Sequence, residues 1–207
     1  VSEPVLIKHM VGRSIDNVFP KREKVTIGDE VLRLEDWSAF SYALGRDILK
    51  NVNISVHAGE IVGIAGLMGS GRTELAKSIF GNPDHYRLSG KVFINGQEQK
   101  FHNPHDAIKA SMAYVTEDRK GNGLILIDDV KHNISLANLQ EITSGGVINE
   151  NEEILVANKY RSELNIKTLT IQQKVRNLSG GNQQKVSLGK WLFVKPGIMI
   201  LDEPTRG

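Results

Sequence analysis

Three short motifs in a fixed order constrain the fold of this chain more than any other feature of its sequence. A glycine-rich run, GLMGSGRT, spans residues 66–73, and a Leu-Ser-Gly-Gly-Asn-Gln-Gln run spans residues 178–184. An apolar run then ends in Asp202 and Glu203. Glycine-rich loops and acidic strand ends are each common, but the Ser-Gly-Gly element between them is not. The combination predicts an α/β domain that binds a nucleotide.

The glycine-rich run predicts a loop that surrounds phosphate groups. Its glycines let the backbone turn tightly, so that backbone N–H groups can point at phosphate oxygens. A helix starting near Gly71 would add the positive end of its dipole, and the Thr73 hydroxyl would contact Mg²⁺. The residues assigned to the nucleotide here are Gly66, Met68, Gly69, Ser70, Gly71, Arg72, Thr73 and Glu74. The alternative is a strand–helix turn that binds no ligand.

One residue of this loop departs from the usual pattern, because Arg72 stands where phosphate loops carry a lysine. Lysine is a compact charge that reaches the β- and γ-phosphates, whereas arginine is a wide planar fork that needs more room. The loop N–H groups do not depend on this exchange. We therefore expect the exchange to affect hydrolysis more than binding.

The apolar run at residues 198–201 predicts a buried strand that ends at Asp202 and Glu203. Ligands of α/β sheets bind at the carboxyl ends of the strands. Asp202 is therefore placed to hold Mg²⁺, directly or through a water molecule. The alternative is an exposed strand end with two solvated acids.

The Ser-Gly-Gly element predicts the start of a helix that runs to Phe193. Ser179 is a favourable N-cap residue, and Gly180 and Gly181 allow a phosphate to approach the backbone closely. Asn182 follows them and is assigned to the same phosphate contact. The alternative is a helix cap with no other role.

The rest of the chain reads as an α/β core with a helical insertion at about 128–180. An Asn95-Gly96 pair predicts a hairpin turn, and Asn149 with Glu152 predicts a capped helix that buries a stripe of Ile154, Ala157 and Leu164. Strands are predicted at residues 31–34, 52–56, 61–65, 112–115 and 198–201. The run at 61–65 is apolar throughout, as expected of a strand buried on both faces of a parallel sheet.

Composition excludes several classes of function. The 207 residues carry a formal net charge of +2 without a lysine- or arginine-rich block, so electrostatics do not favour nucleic acid as a partner. The absence of cysteine excludes disulfides, thiol catalysis and cysteine-ligated zinc. The apolar runs are far shorter than the roughly 20 residues of a membrane-spanning helix, so we expect any membrane role to depend on a partner.

The three motifs together resemble those of ATP-binding-cassette (ABC) proteins. The resemblance implies a P-loop ATPase core with a mostly parallel sheet, an antiparallel N-terminal β part and a helical insertion. It also implies ATP and Mg²⁺ as cofactors, and Glu203 as the catalytic residue that polarises or deprotonates the attacking water. In this family the Ser179 element closes over the γ-phosphate that a partner domain binds.

Two further sites follow from the same resemblance. Residues 116–120 lie where cassette proteins carry a glutamine that contacts Mg²⁺ and the attacking water, and Glu117 stands at the matching position. Glu117 could ligate Mg²⁺ but, when ionised, cannot donate a hydrogen bond. Cassette proteins also stack adenine on an aromatic residue before the phosphate loop. Tyr42 is the nearest match, ahead of Phe40 and Trp37.

Nearly the whole chain resembles the second, C-terminal cassette of monosaccharide importer ATPases of the xylose, ribose or multiple-sugar type. Residues 10–13 (MVGR) and 19–20 (FP) look like the linker between two cassettes, and the TEDRK run at 116–120 matches as well. The resemblance implies that residues 1–30 end a first cassette and form the linker. Residues 31–207 then form a second nucleotide-binding domain, truncated after the Walker B strand at 198–203.

The implied partners are transmembrane sugar permease subunits, the first cassette of the same polypeptide and, indirectly, a periplasmic sugar-binding protein. The implied location is peripheral, on the cytoplasmic face of the bacterial inner membrane. This piece alone is expected to be inactive. Two alternatives stay open: a soluble cassette ATPase that acts on the ribosome or DNA, and a non-catalytic regulatory cassette.

Overall fold

The computed structural model describes residues 25–204, and these form an α/β fold of strands and short helices. The strands are β1 (Glu30–Ser41), β2 (Arg46–His57), β3 (Arg87–Ile94), β4 (Gln97–Gln99), β5 (Met112–Val115), β6 (Thr143–Ser144), β7 (Val147–Ile148) and β8 (Ile198–Leu201). The α-helices are α1 (Arg72–Ile79), α2 (Pro104–Lys109), α3 (Val130–Ser135), α4 (Glu150–Glu163) and α5 (Gly180–Phe193). None of these helices has both the length and the apolar character needed to cross a membrane. The predicted linker motifs at 10–13 and 19–20, and residues 205–207, lie outside the described residues.

The N-terminal part is an antiparallel sheet with strand order β2-β1-β3-β4, as the resemblance implies. Its β3–β4 hairpin turns at Asn95 and Gly96, whose φ angles of 49° and 75° suit the predicted tight turn. The side chain of Trp37 on β1 donates a hydrogen bond of 3.0 Å to the Ser78 hydroxyl on α1. This buried bond attaches the sheet to the helix that follows the glycine-rich loop.

The predicted strands at 112–115 and 198–201 are confirmed, and they pair in parallel. Val115 lies opposite Leu201, so the two strands end together at one edge of the sheet. The side chains of β5 are almost completely buried, in a core shared with β1, α1 and α5. The sheet edge that carries Asp202 is therefore fixed by strand pairing and by packing of β5 in the core.

The helical insertion has a second core of its own, built from α3, α4 and α5. Its predicted cap is confirmed, because the Asn149 side chain accepts hydrogen bonds from the backbone N–H groups of residues 151 and 152. Ala157 is fully buried as predicted, but the buried stripe continues through Glu153 and Tyr160, while Ile154 and Leu164 are only partly covered. Glu153 is buried because it pairs with Lys131 at 2.6 Å.

The prediction of a buried strand at residues 61–65 is wrong for this structure. The segment is assigned no strand, and Ile61 and Ile64 are 75% and 51% exposed. An apolar run becomes a central strand only when neighbouring strands supply ladder hydrogen bonds and cover its faces. Within residues 25–204, the sole parallel pair is β5–β8, and neither strand pairs with this segment.

Candidate functional site

The glycine-rich loop has a conformation that depends on its glycines. Gly69 and Gly71 have φ angles of 80° and 90°, in the left-handed region that side chains disfavour. A Cβ at Gly71 would lie 3.0 Å from the backbone oxygen of Ile48, and one at Gly66 would collide with the Ser70 side chain. Residues 66–70 are exposed. The loop therefore presents its backbone to solvent, as a phosphate-binding loop should.

Helix α1 begins directly after the loop, at Arg72. It buries Leu75, Ala76 and Ile79 against the sheet, which fixes the direction of the helix. The Gly71 cap offers no side chain, so the first N–H groups of the helix have no side-chain acceptor. Thr73 lies half-buried in this first turn. The positive end of the helix and the Thr73 hydroxyl thus sit together beside the loop.

Arg72, which the sequence assigns to phosphate, contacts a carboxylate in this structure. Its Nη1 atom donates a hydrogen bond of 2.9 Å to Oε1 of Glu203. Both side chains are about one-third exposed, at 34% and 38%. Glu203 also has a φ angle of 46°, an unfavourable conformation for a residue other than glycine, and such strain is concentrated at functional sites. The ion pair brings the glycine-rich loop and the end of β8 together.

Asp202 is buried, at 8% exposure, and β5 holds it at two points. Its backbone N–H donates to the carbonyl of Val115 at 2.9 Å. Its Oδ2 atom accepts a hydrogen bond of 3.0 Å from the Tyr114 hydroxyl. Sequence reasoning missed Tyr114, which appeared only as one apolar position of a buried strand.

The Ser-Gly-Gly element begins α5 as predicted, with Ser179 at the N-cap position. The Ser179 hydroxyl does not cap the helix backbone but accepts a hydrogen bond of 2.9 Å from the Asn182 side chain. Asn182 in turn accepts from the backbone N–H of Lys167 at 2.8 Å. Among the hydrogen bonds within residues 25–204, none joins Ser179 or Asn182 to the glycine-rich loop. The element is fixed in place, but not over the phosphate loop of its own chain.

The segment at 116–120 leaves the same sheet edge as Asp202, because it follows β5. It forms a cleft of about 310 Å³ lined by residues 117–120. The Asp118 side chain accepts a hydrogen bond from the Gly121 N–H at 3.0 Å, which closes the turn. Glu117 itself is half-buried. The predicted metal ligand is thus two residues beyond the strand that positions Asp202.

Of the three aromatic candidates for adenine, Tyr42 has the most accessible ring, at 68% exposure. It lies in the β1–β2 turn and contacts Phe40 edge to face, with ring centroids 5.6 Å apart. Trp37 is buried and bonded to Ser78, so its faces are not open to a ligand. The structure shows no contact between Tyr42 and the glycine-rich loop, and its role stays a prediction.

The residues present fit a nucleotide and Mg²⁺. Side chains are excluded from the loop at Gly66 and Gly71, which leaves backbone N–H groups for phosphate. Asp202 uses one carboxylate oxygen for Tyr114, and its Oδ1 atom makes no hydrogen bond within residues 25–204. A buried carboxylate with a remaining oxygen, and the Thr73 hydroxyl beside the loop, are suitable ligands for Mg²⁺.

A second group of metal-type side chains lies in the helical insertion. Ligand atoms of Asp128, Asp129 and His132 lie within 4.8 Å of one another. Histidine spacing in the sequence did not indicate this group. Each of these side chains has a structural role, since Asp129 caps α3 and His132 bonds to Asp128 at 2.9 Å. The group is explained by local capping.

Comparison with known proteins identifies the family. Residues 49–206 match the family described as ABC transporter. The chain is 48% identical to the L-arabinose transport ATP-binding protein AraG of Geobacillus stearothermophilus, over 100% of this chain and 40% of that protein. It is 47% identical to the xylose import ATP-binding protein XylG of Thermoanaerobacter pseudethanolicus, over 100% of this chain and 41% of that protein. The chain therefore spans about two-fifths of the length of these relatives.

Solved structures agree on the fold. A nucleotide-free ATP-binding cassette from an ABC transporter superimposes with a TM-score of 0.70 at 21% identity, covering 86% of this chain and 71% of that one. The dimeric cassette MJ0796, bound to ADP and Pi, gives a TM-score of 0.69 at 24% identity, covering 84% of this chain and 75% of that one. Sequence and fold lead to the same conclusion: this chain belongs to the ABC transporter family.

Proposed function

We propose that this chain is an ATP-binding cassette that powers the import of a monosaccharide, either a pentose or several related sugars, through a membrane permease. The observation that carries the proposal is the Arg72–Glu203 pair, which joins the glycine-rich loop to the carboxylate pair across 131 residues of sequence. A phosphate loop beside paired carboxylates is the arrangement that nucleoside triphosphate hydrolysis requires. The sugar assignment is supported by the names of the relatives, which are arabinose and xylose import proteins.

In the proposed site, each residue has one task. Backbone N–H groups of residues 66–71 and the first turn of α1 bind the phosphates. Thr73, Asp202 and Glu117 hold Mg²⁺, and a bound Mg²⁺ supplies positive charge that stabilises the transferring phosphoryl group. Glu203 accepts a proton from the attacking water, and Tyr42 stacks against the adenine.

We propose that this site binds ATP better than it hydrolyses it. The contact between Arg72 and Glu203 supports this, because Arg72 occupies one oxygen of the carboxylate that should receive the proton of the attacking water. Phosphates would compete with Glu203 for the same guanidinium.

The Ser179 element is proposed to act on a neighbouring cassette. Its bonds to Asn182 and Lys167 hold the N-terminus of α5 in place without reaching the local loop. A Cβ added at Gly181 would meet no atom within 4 Å, so the backbone there is open to an incoming phosphate. The neighbour is proposed to be the first cassette of the same polypeptide. Residues 31–207 are proposed to form the second cassette, with a helical part at about 128–180.

The proposed partners are transmembrane permease subunits, with a periplasmic sugar-binding protein acting indirectly. The proposed location is peripheral, on the cytoplasmic face of the bacterial inner membrane.

The proposal is tested by nucleotide stoichiometry in the longer importer polypeptide. We expect Thr73→Ala to remove one Mg²⁺-dependent ATP analogue per polypeptide, measured by isothermal titration calorimetry. Ser144→Ala, which deletes an exposed hydroxyl in the helical insertion, is the matched control and should leave the stoichiometry unchanged. Equal stoichiometry in the parent and in Thr73→Ala would refute nucleotide binding at this loop.

A second candidate function, a non-catalytic regulatory cassette, is favoured by the same Arg72–Glu203 pair. Glu203→Gln in the complete importer separates the two. Slower ATP hydrolysis and sugar transport are expected if this site is catalytic. Unchanged transport with altered nucleotide affinity would favour the regulatory function.

A further inference from the structure

The buried pair of Tyr114 and Asp202 has a geometry that bears on the metal site. Both side chains are nearly inaccessible, at 7% and 8% exposure, and the hydroxyl donates to Oδ2 of the carboxylate at 3.0 Å. The backbone N–H of Asp202 donates to the carbonyl of Val115, which follows Tyr114 in strand β5. Strand β5 therefore fixes both the backbone and the side chain of Asp202.

Packing determines where the Tyr114 hydroxyl lies. Its ring contacts Phe80 with centroids 5.6 Å apart, and Phe80 packs edge to face against Trp191 at 5.5 Å. Tyr114 also lies opposite Ile200 in the β5–β8 ladder, two residues before Asp202. The hydroxyl is thus a fixed donor rather than a group that follows the carboxylate.

The Tyr114 hydroxyl has one hydrogen to donate, and it donates it to Oδ2 of Asp202 at 3.0 Å. A protonated phenol that bonds Oδ2 leaves Oδ1 of Asp202 as the oxygen available to a cation. Hydrogen bonds of this kind select which ligand atom faces a metal and how the carboxylate is oriented.

We propose that Tyr114 is a positioning residue for the Mg²⁺ aspartate, which orients Asp202 so that Oδ1 faces the nucleotide site. The inference rests on the proposed ATP and Mg²⁺ function of that site. If the role of the buried hydroxyl is purely structural, the parent and Tyr114→Phe should have the same Mg²⁺ midpoint.

The test uses the longer importer polypeptide with two variants. Tyr114→Phe keeps the ring and removes the hydroxyl, whereas Phe80→Leu removes the ring contact and keeps the hydroxyl. Binding of a fluorescent non-hydrolysable ATP analogue is titrated with Mg²⁺, and measured again with EDTA. Melting temperature is recorded for all proteins. Because the proteins share every other nucleotide site, differences between their Mg²⁺ titrations report this site.

For Tyr114→Phe we expect the Mg²⁺ midpoint to rise roughly tenfold, with binding in EDTA unchanged. For Phe80→Leu we expect a lower melting temperature and a smaller increase in the Mg²⁺ midpoint than for Tyr114→Phe, because the hydroxyl is kept but loses part of the packing that holds it. Superimposable Mg²⁺ titrations for the parent and Tyr114→Phe would overturn the positioning role. If Thr73→Ala has the same nucleotide stoichiometry as the parent, the proposed function of this site fails first, and the two failures are distinguishable.

Discussion

The glycine-rich loop region and the helical insertion differ in which side chains they bury. Around the loop, the apolar side chains of Ile61 and Ile64 are exposed, and the segment has no strand partner within residues 25–204. In the insertion, even charged side chains are enclosed, and the Lys131–Glu153 pair is 7% and 4% exposed. The insertion is stabilised by its own packed core, whereas the loop region depends on the backbone conformation of its glycines and on a few side-chain contacts.

This contrast indicates where stability and chemistry reside. Glu153 accepts from both Lys131 and the Ser135 hydroxyl, each at 2.6 Å, so the buried charge is fully bonded. Burial alone would raise the pKa of Glu153, but these hydrogen bonds prevail and lower it. The loop region instead leaves N–H groups and carboxylate oxygens open to a ligand. Changes in the insertion should therefore reduce stability, and changes near the loop should alter binding.

The largest effect is expected from Lys131→Met, which leaves the Glu153 carboxylate buried without its cation. Breaking a buried pair in this way costs about 3–5 kcal/mol of unfolding free energy, measured by urea unfolding. Lys195→Met is the control, since Lys195 pairs with Glu141 at the same 2.6 Å but is 67% exposed. Its cost should be much smaller, because water screens an exposed ion pair. An equal loss of unfolding free energy in the two variants would contradict the expected difference between a buried and an exposed ion pair.

The next effect concerns Lys190 of α5, whose buried ammonium donates to the carbonyl of Gly123. Burial lowers its pKa from 10.5 to about 8. Between these values the unfolded chain binds more protons than the folded one, so the parent becomes more stable as pH rises through that window. The gain should be roughly 3 kcal/mol, measured by urea unfolding across the window. Lys190→Met should lose this dependence, and an identical pH profile in both proteins would contradict it.

A smaller effect is expected at the glycine-rich loop from Gly71→Ala. The residue has a φ angle of 90°, and its new Cβ would press on Ile48 and Leu49 at 3.0 Å. The left-handed conformation costs a side chain about 1–2 kcal/mol, and relaxation of the loop should weaken ATP binding. Gly63→Ala is the control, because its Cβ would meet nothing within 4 Å. Calorimetric nucleotide binding that is equally strong in both variants would show that the loop conformation is not required.

The smallest effect is expected from Glu203→Gln. It tests whether Glu203 weakens ATP binding by competing with phosphate for Arg72 or by general charge repulsion. Glu203→Gln should tighten binding of a non-hydrolysable ATP analogue severalfold, because a partly exposed pair contributes up to about 1 kcal/mol. In an Arg72→Ala background the same change should give no such gain if Arg72 mediates the effect. Equal gains in both backgrounds would show that Glu203 acts by its charge alone.

Local patterns predicted much of the fold. The Asn95-Gly96 turn, the Asn149 cap and the helix after Ser179 were confirmed because each depends on residues close in sequence. The strand predicted at 61–65 failed because a strand needs distant neighbours that apolar character alone cannot guarantee. Sequence reasoning also missed the burial of Glu153, since its partner Lys131 lies 22 residues away.

The candidate site divides in the same way. The resemblance of the motifs to ABC proteins implied that the loop, Asp202 and Glu203 form one site, and the Arg72–Glu203 contact supports that grouping. It could not indicate that Arg72 would bind a carboxylate, or that Tyr114 would hold Asp202, because both contacts join separate motifs, at sequence separations of 131 and 88 residues.

The claim that matters most is that Ser179 contacts a nucleotide held by another cassette. An ATP analogue with a photoreactive group on its γ-phosphate, bound to the longer importer polypeptide and mapped by mass spectrometry, tests it directly. We predict an adduct within residues 178–184 that persists in Thr73→Ala, because the local loop does not hold that nucleotide. An adduct that disappears in Thr73→Ala, or the absence of any adduct within residues 178–184, would contradict the account.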